Sequence, residues 1–170
     1  MIFSIYDFEI EIPEDWSVEI SKPTNYEVGR ILLKAPNKLA IAIIWDSLSR
    51  FKDEFPTAKD FFNYQVEHIK GNRHVRSVNV QPFEYRGSEG HSCDFHRIHY
   101  VSKARFTREH HHIVVGLGVY CEKTNRFFVV FAEYSGEKSK DYDEMAKQVI
   151  QSFRCRCDRA KVPRNTPAST

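Results

Sequence analysis

The sequence predicts an α+β fold, an antiparallel β-sheet sandwiched by helices. Three observations carry that expectation. Several short segments alternate apolar and polar residues or run apolar throughout, as strands buried on one face or on both do. Most are joined by tight turns, which force antiparallel neighbours because a parallel pair needs a long crossover. Two further segments repeat their apolar residues at intervals of three and four, each giving one greasy helical stripe that must be covered.

Phe8-Glu9-Ile10-Glu11-Ile12 alternates and reads as a half-buried strand; Pro13-Glu14-Asp15 turns the chain, and Trp16-Ser17-Val18-Glu19-Ile20 resumes the pattern. After a polar loop, residues 30–34 and 39–45 form a hairpin across the connection 35–38. The returning arm is apolar on both faces through Ile43 and Ile44, the mark of a central strand. The period changes after Pro56. Thr57 N-caps a helix whose first turn carries Asp60, and Ala58, Phe61, Phe62, Val66 and Ile69 form its buried stripe. Gly71-Asn72 stops it. Strands return at 75–85, 90–101 and 110–120, and a last one at 126–132 follows the turn 122–125. A second helix starts at Asp141, with Glu144 as its capping-box partner, and buries Tyr142, Met145, Val149, Ile150 and Phe153.

At 170 residues, 41% hydrophobic and 14% aromatic, the chain can bury a full core without disulfide staples, which excludes global disorder. Residues 1–154 read as one domain and 155–170 as a basic tail, disordered because 162–170 has almost nothing to bury. The net charge of +2 is unevenly placed: Arg154, Arg156, Arg159, Lys161 and Arg164 face only Asp158 in the last stretch, which leaves the body mildly acidic. That is not the broad positive face that duplex DNA requires. No apolar run approaches the ~20 residues of a membrane helix. The start, Met1 to Glu9, lacks the basic n-region of a secretory signal. A soluble, cytoplasmic protein with no membrane partner is expected.

The opening Phe8-x-Ile10-x-Ile12-Pro13-x-x-Trp16, the mid-chain Asp60-Phe61-Phe62 and the closing Val149-Ile150-x-Ser152-Phe153 together resemble the Mog1/PsbP-like superfamily over about residues 5–154. The resemblance implies an α/β/α sandwich. It also implies a binding or accessory role, since members include a Ran-GTPase-binding nuclear import factor and an extrinsic photosystem II subunit, and most are not enzymes. The export leader that many bacterial and plastid relatives carry is missing, which argues against an envelope or thylakoid role. No functional residue is carried over, because the matching positions are structural: Pro13 ends a strand and the Trp16 indole plugs the end of the sandwich.

No catalytic set assembles along the chain. Ser92 or Cys93 beside His91, with Asp94 near, resembles a hydrolase set only on paper, because strand neighbours point to opposite faces. Gly116-Leu117-Gly118 lacks the third glycine and the helix of a dinucleotide fingerprint; inside a strand it marks a bulge or a close crossing by a covering helix. Cys93 and Cys121 read as small buried hydrophobes. Cys155-x-Cys157 is too short for a Cys-x-x-Cys knuckle, and no second pair completes one, although the flanking Arg154 and Arg156 favour thiolate character.

Two candidate sites remain, both on the hairpin expected between 90–101 and 110–120. If Ile98 faces Ile113, His99 stands opposite His112, ~5 Å apart at Cβ, close enough to share a zinc or other divalent ion with His110 or Glu109 as a third ligand. A one-residue slip would separate them. At the tip, Arg97, Lys103, Arg105, Phe106 and Arg108 interleave charge with an aromatic ring, a pattern suited to an acidic partner or to weak stacking on single-stranded nucleic acid. The leading expectation is a non-catalytic binding or adaptor protein that recognises a protein partner, with no cofactor unless the histidines hold a metal.

Overall fold

The computed structural model describes residues 1–87 and 89–160. The elements run β1 (Ile2–Ile5), β2 (Phe8–Glu11), β3 (Ser17–Ile20), β4 (Gly29–Lys34), β5 (Ala40–Ser47), α1 (Ala58–Lys70), β6 (Val75–Pro82), β7 (Ser92–Ser102), β8 (His110–Cys121), β9 (Arg126–Ser135), α2 (Ser139–Gln151) and β10 (Arg154–Cys155). The main sheet has the order β3-β4-β5-β9-β8-β7-β6, and every neighbouring pair is antiparallel. The architecture is α+β, as the short turns imply. No described helix is long and apolar enough to cross a membrane.

Helix α1 begins where the sequence places it. The Thr57 hydroxyl accepts from the Asp60 N–H while the Asp60 carboxylate accepts from the Thr57 N–H, a reciprocal capping box. Helix α2 starts two residues earlier than expected. A 3-10 turn (Gly136–Lys138) leads into it, and no side chain caps it. The expected Asp141–Glu144 box does not form; the Ser139 hydroxyl instead donates to Asp143 at 2.6 Å.

The opening strand does not join the main sheet. Tyr6 and Asp7, at φ 47° and 58°, make a two-residue left-handed turn that folds β1 back onto β2. With β10 they form a separate sheet in the order β1-β2-β10. Nor does the fold stop at residue 154. Arg154 and Cys155 pair with Glu9 and Phe8, and Cys157–Arg159 forms a 3-10 turn, with Arg156 2.8 Å from the Glu9 carboxylate. The expected tail is therefore packed through residue 160, and its remainder, 161–170, lies outside the described residues.

The two faces of the main sheet are covered unequally. One face carries Ile31, Leu33, Ile41, Ile43, Trp45, Phe128, Val130, Ile113, Val115, Leu117 and Val119, all buried against α2 and the inward Phe8 and Ile10 of the small sheet. On the other face α1 packs over β6, β7 and β8, where Phe62 and Val66 meet Ile98. The tight glycine on this face is Gly116, where a Cβ would lie 3.2 Å from His96 Nε2; at Gly118 it would meet the Ala58 Cβ at 3.6 Å, an ordinary contact. Leu32, Ile44, Val129 and Phe131 share that second face by strand register but stay half-exposed.

Candidate functional site

The β7–β8 hairpin forms, but one residue out of the expected register. Ser102 pairs with His110, so Ile98 faces Val114 and His99 faces Ile113. The loop between them turns through Phe106 in a left-handed conformation at φ 68°. The slip sends the imidazoles apart: His99 meets His111, Nε2 to Nδ1 at 2.8 Å, on the α2 face. His112 lies on the other face, stacked on Tyr100 with its Nε2 2.8 Å from the Ser102 hydroxyl. His99 and His112 therefore cannot share an ion, and strand alternation is the reason. His110, Glu109 and Arg108 instead line an open cavity of about 600 Å3 with His99, His111 and Ser139. Burial, with the charges of His111 and Arg97, holds His99 below the ordinary imidazole range.

The residues expected to bind a partner divide in the same way. Arg97 is no tip residue; its guanidinium reaches Ser139 at 3.0 Å and Asp143 at 2.9 Å, linking β7 to α2. Burial pushes the Asp143 carboxyl up, but hydrogen bonds from Ser139, Tyr134 and Arg97 outweigh it and leave the group below its usual range. Phe106 does stand at the tip, 92% exposed, with the Arg105 guanidinium 5.0 Å from its ring centre. Lys103 anchors the loop base through its N–H to the His74 carbonyl.

The opposite end of the same hairpin holds a cluster that sequence spacing did not reveal. His91 precedes β7, Cys121 ends β8, Cys155 lies in β10 and Cys157 opens the last 3-10 turn. One ligand atom from each lies within 4.8 Å of the others. Their chemistry is shared: hydrogen bonding from Cys155, with help from His91 and Thr124, overcomes burial and draws the Cys121 thiol far down, while the same contact and burial push Cys155 up. Burial also raises Cys157. Cys93 stands apart, pushed up to about 12 by burial and by the neighbouring Asp94. The one local hint was Cys155-x-Cys157, since residues two apart on an extended chain share a face. The other two donors come from the strand ends that β10 approaches.

Of the residues that resemble a hydrolase set, Ser92 and Asp94 serve packing. The Ser92 hydroxyl accepts the Ala58 N–H at the start of α1. Asp94 holds His96, Oδ2 to Nδ1 at 2.6 Å, and the imidazole stacks beneath Phe62 with centroids 3.4 Å apart. Burial outweighs the Asp94 carboxylate and keeps His96 below its ordinary range, hence a neutral donor rather than half of an ion pair. Its ring lines a largely apolar groove of about 330 Å3 between α1 and the half-open face, bordered by Phe61, Ile69, Val129 and Phe131.

No family model and no curated protein matches the sequence. Among solved structures, the solution structure of cyanobacterial PsbP (CyanoP) from Synechocystis sp. PCC 6803 is similar, with a TM-score of 0.55 over 91% of each chain at 13% identity. At that identity the likeness is one of fold alone: the chain has a PsbP-like α+β fold.

Proposed function

We propose that this chain is a non-catalytic binding module whose protein partner lays an amphipathic helix along α1, over the half-open face of the main sheet, completing an α/β/α sandwich. One observation carries the reading. Leu32, Ile44, Val129 and Phe131 form a continuous apolar strip beside the α1 groove, on a face where α1 covers only β6 to β8. Such a strip costs solvation free energy in the free protein and recovers it on docking. A second helix fits because the groove already has one helical wall. Arg30, Lys34, Asp46 and Glu133 share that face by register and supply charges of both signs for a polar rim. The PsbP-like fold supports an accessory role over turnover.

The experiment places a photo-crosslinking residue at Ile44, and separately at Phe106, in the full chain expressed in its native host. The reading expects one stoichiometric protein crosslinked from Ile44, abolished by Leu32→Asp on the exposed side of the strip, with the variant still unfolding cooperatively. Crosslinks from Phe106 alone, or binding only to short single-stranded oligonucleotides at low salt, overturn it in favour of recognition by the hairpin tip.

A further inference from the structure

We infer that His91, Cys121, Cys155 and Cys157 form a structural zinc site that fastens the segment after α2 to the end of the β7–β8 hairpin. Zinc at a closed site takes four sulfur and nitrogen donors tetrahedrally, and three cysteines with one histidine is a standard set. With Zn–S near 2.3 Å and Zn–N near 2.0–2.1 Å, neighbouring tetrahedral ligands lie about 3.6–3.8 Å apart. Cys157 Sγ and His91 Nε2 are 3.6 Å apart, and all four donor atoms fall within 4.8 Å of one another. Closing that small excess needs only side-chain adjustment.

Two observations beyond the donor distances point the same way. The first is the orientation of His91. Its Nδ1 lies 2.8 Å from the Glu89 carbonyl, which can only accept, so the proton sits on Nδ1 and the lone pair of Nε2 faces Cys157. A ligating imidazole is held in this way, one nitrogen donating outward and the other free for the metal. The second is charge. Three thiolates, a neutral imidazole and Zn2+ sum to one negative charge. Arg126, paired across the strands with Cys121, is buried at 1% exposure, and among the described residues its guanidinium donates only to neutral oxygens of Thr124, Tyr6 and Tyr26. Its Nη2 has no partner among the described residues. The Tyr26 and Phe128 rings and the field of the Asp7 carboxylate offset part of its charge without a direct carboxylate bond, and an anionic metal–thiolate centre beside it supplies further countercharge. On binding, each cysteine that still carries a proton releases it to solvent, and no redox change occurs. With four protein ligands the centre has no open position, so its role is to hold structure rather than to activate water.

The site explains why the chain is ordered past residue 154. β10 is only two residues long, and without the metal the segment holds to β2 by that short pairing and by Arg156 and Arg159 on Glu9.

The test uses the full chain without an affinity tag, purified reduced and dialysed against a weak chelator. Elemental analysis is expected to find about one zinc per chain. Replacement by Co2+ is expected to give the intense visible bands of a tetrahedral centre with thiolate-to-cobalt charge transfer. Cys157→Ser and His91→Gln are expected to lose the metal, whereas Cys93→Ala retains it. A strong chelator added to the unaltered protein is expected to speed tryptic cleavage after Arg156 and Arg159 at least about tenfold, which makes the result independent of whether any variant folds. Zinc well below stoichiometry, cobalt spectra of an octahedral oxygen or nitrogen site, or recovery of a Cys121–Cys155 disulfide from the native protein would each overturn the inference.

Discussion

Gly29 lies flat beneath the six-membered ring of Trp45: a Cβ placed on Gly29 would stand 2.6 Å from Trp45 Cη2 and 2.7 Å from Thr24 Cγ2. The indole cannot yield. It is 1% exposed, and its Nε1 donates to the carbonyls of Asn25 and Tyr26 at 3.0 and 3.1 Å. Gly29→Ala is therefore expected to destabilise the protein by about 1–3 kcal/mol through overpacking. Urea denaturation checks this, and Gly71→Ala, where the nearest atom is 3.4 Å away, serves as the mild comparison.

Arg97 and Asp143 join strand to helix with side chains 20% and 31% exposed. Removing either leaves the other partly buried without its countercharge, held only by Ser139 and, for Asp143, also by Tyr134. Arg97→Ala and Asp143→Ala are each expected to cost about 1–3 kcal/mol, and the double variant less than their sum. A double-mutant cycle in urea measures the coupling. Additive losses would show that the two residues do not act as a pair.

His96 predicts a pH limb. Its folded pKa is lowered by burial, in spite of Asp94, so between the folded value and the unfolded value of about 6.5 the unfolded chain binds the extra proton. Stability is full above about pH 6.5, falls as the pH drops through that point, and levels below the folded pKa. Asp94, bonded to His96 on the same strand, and Glu133 on β9, which lines the same groove, stay in place in the comparison. Tm measured from pH 8 to 5 is expected to fall less steeply in His96→Gln than in the unaltered chain; parallel curves would remove His96 as the cause.

Thr57 and Asp60 predict a helix-start penalty. Thr57→Ala removes the hydroxyl that accepts the Asp60 N–H, and is expected to cost about 0.5–2 kcal/mol. Thr57→Ser retains the acceptor and is expected to recover most of that loss, read from the midpoint of chemical denaturation.

What the sequence determined by itself was whatever depends on near neighbours. The Thr57–Asp60 cap, the helical stripe of Phe62 and Val66 and the doubly apolar β5 all follow from spacing and backbone sterics within a few residues. The turn at Tyr6-Asp7 escaped because neither residue announces a left-handed conformation, and with it went the small second sheet. Only the tertiary structure decided the rest. A single extra residue in the 103–109 loop sets the β7–β8 register, and because strand side chains alternate, that one residue separates His99 from His112 and puts His111 in the latter's place. The His91, Cys121, Cys155 and Cys157 donors are up to 66 positions apart in the chain and meet because three strand ends converge at one corner. Beyond the Cys155-x-Cys157 pair, local patterning carries no trace of that meeting, since it depends on which strands become neighbours and how far each one runs before it ends.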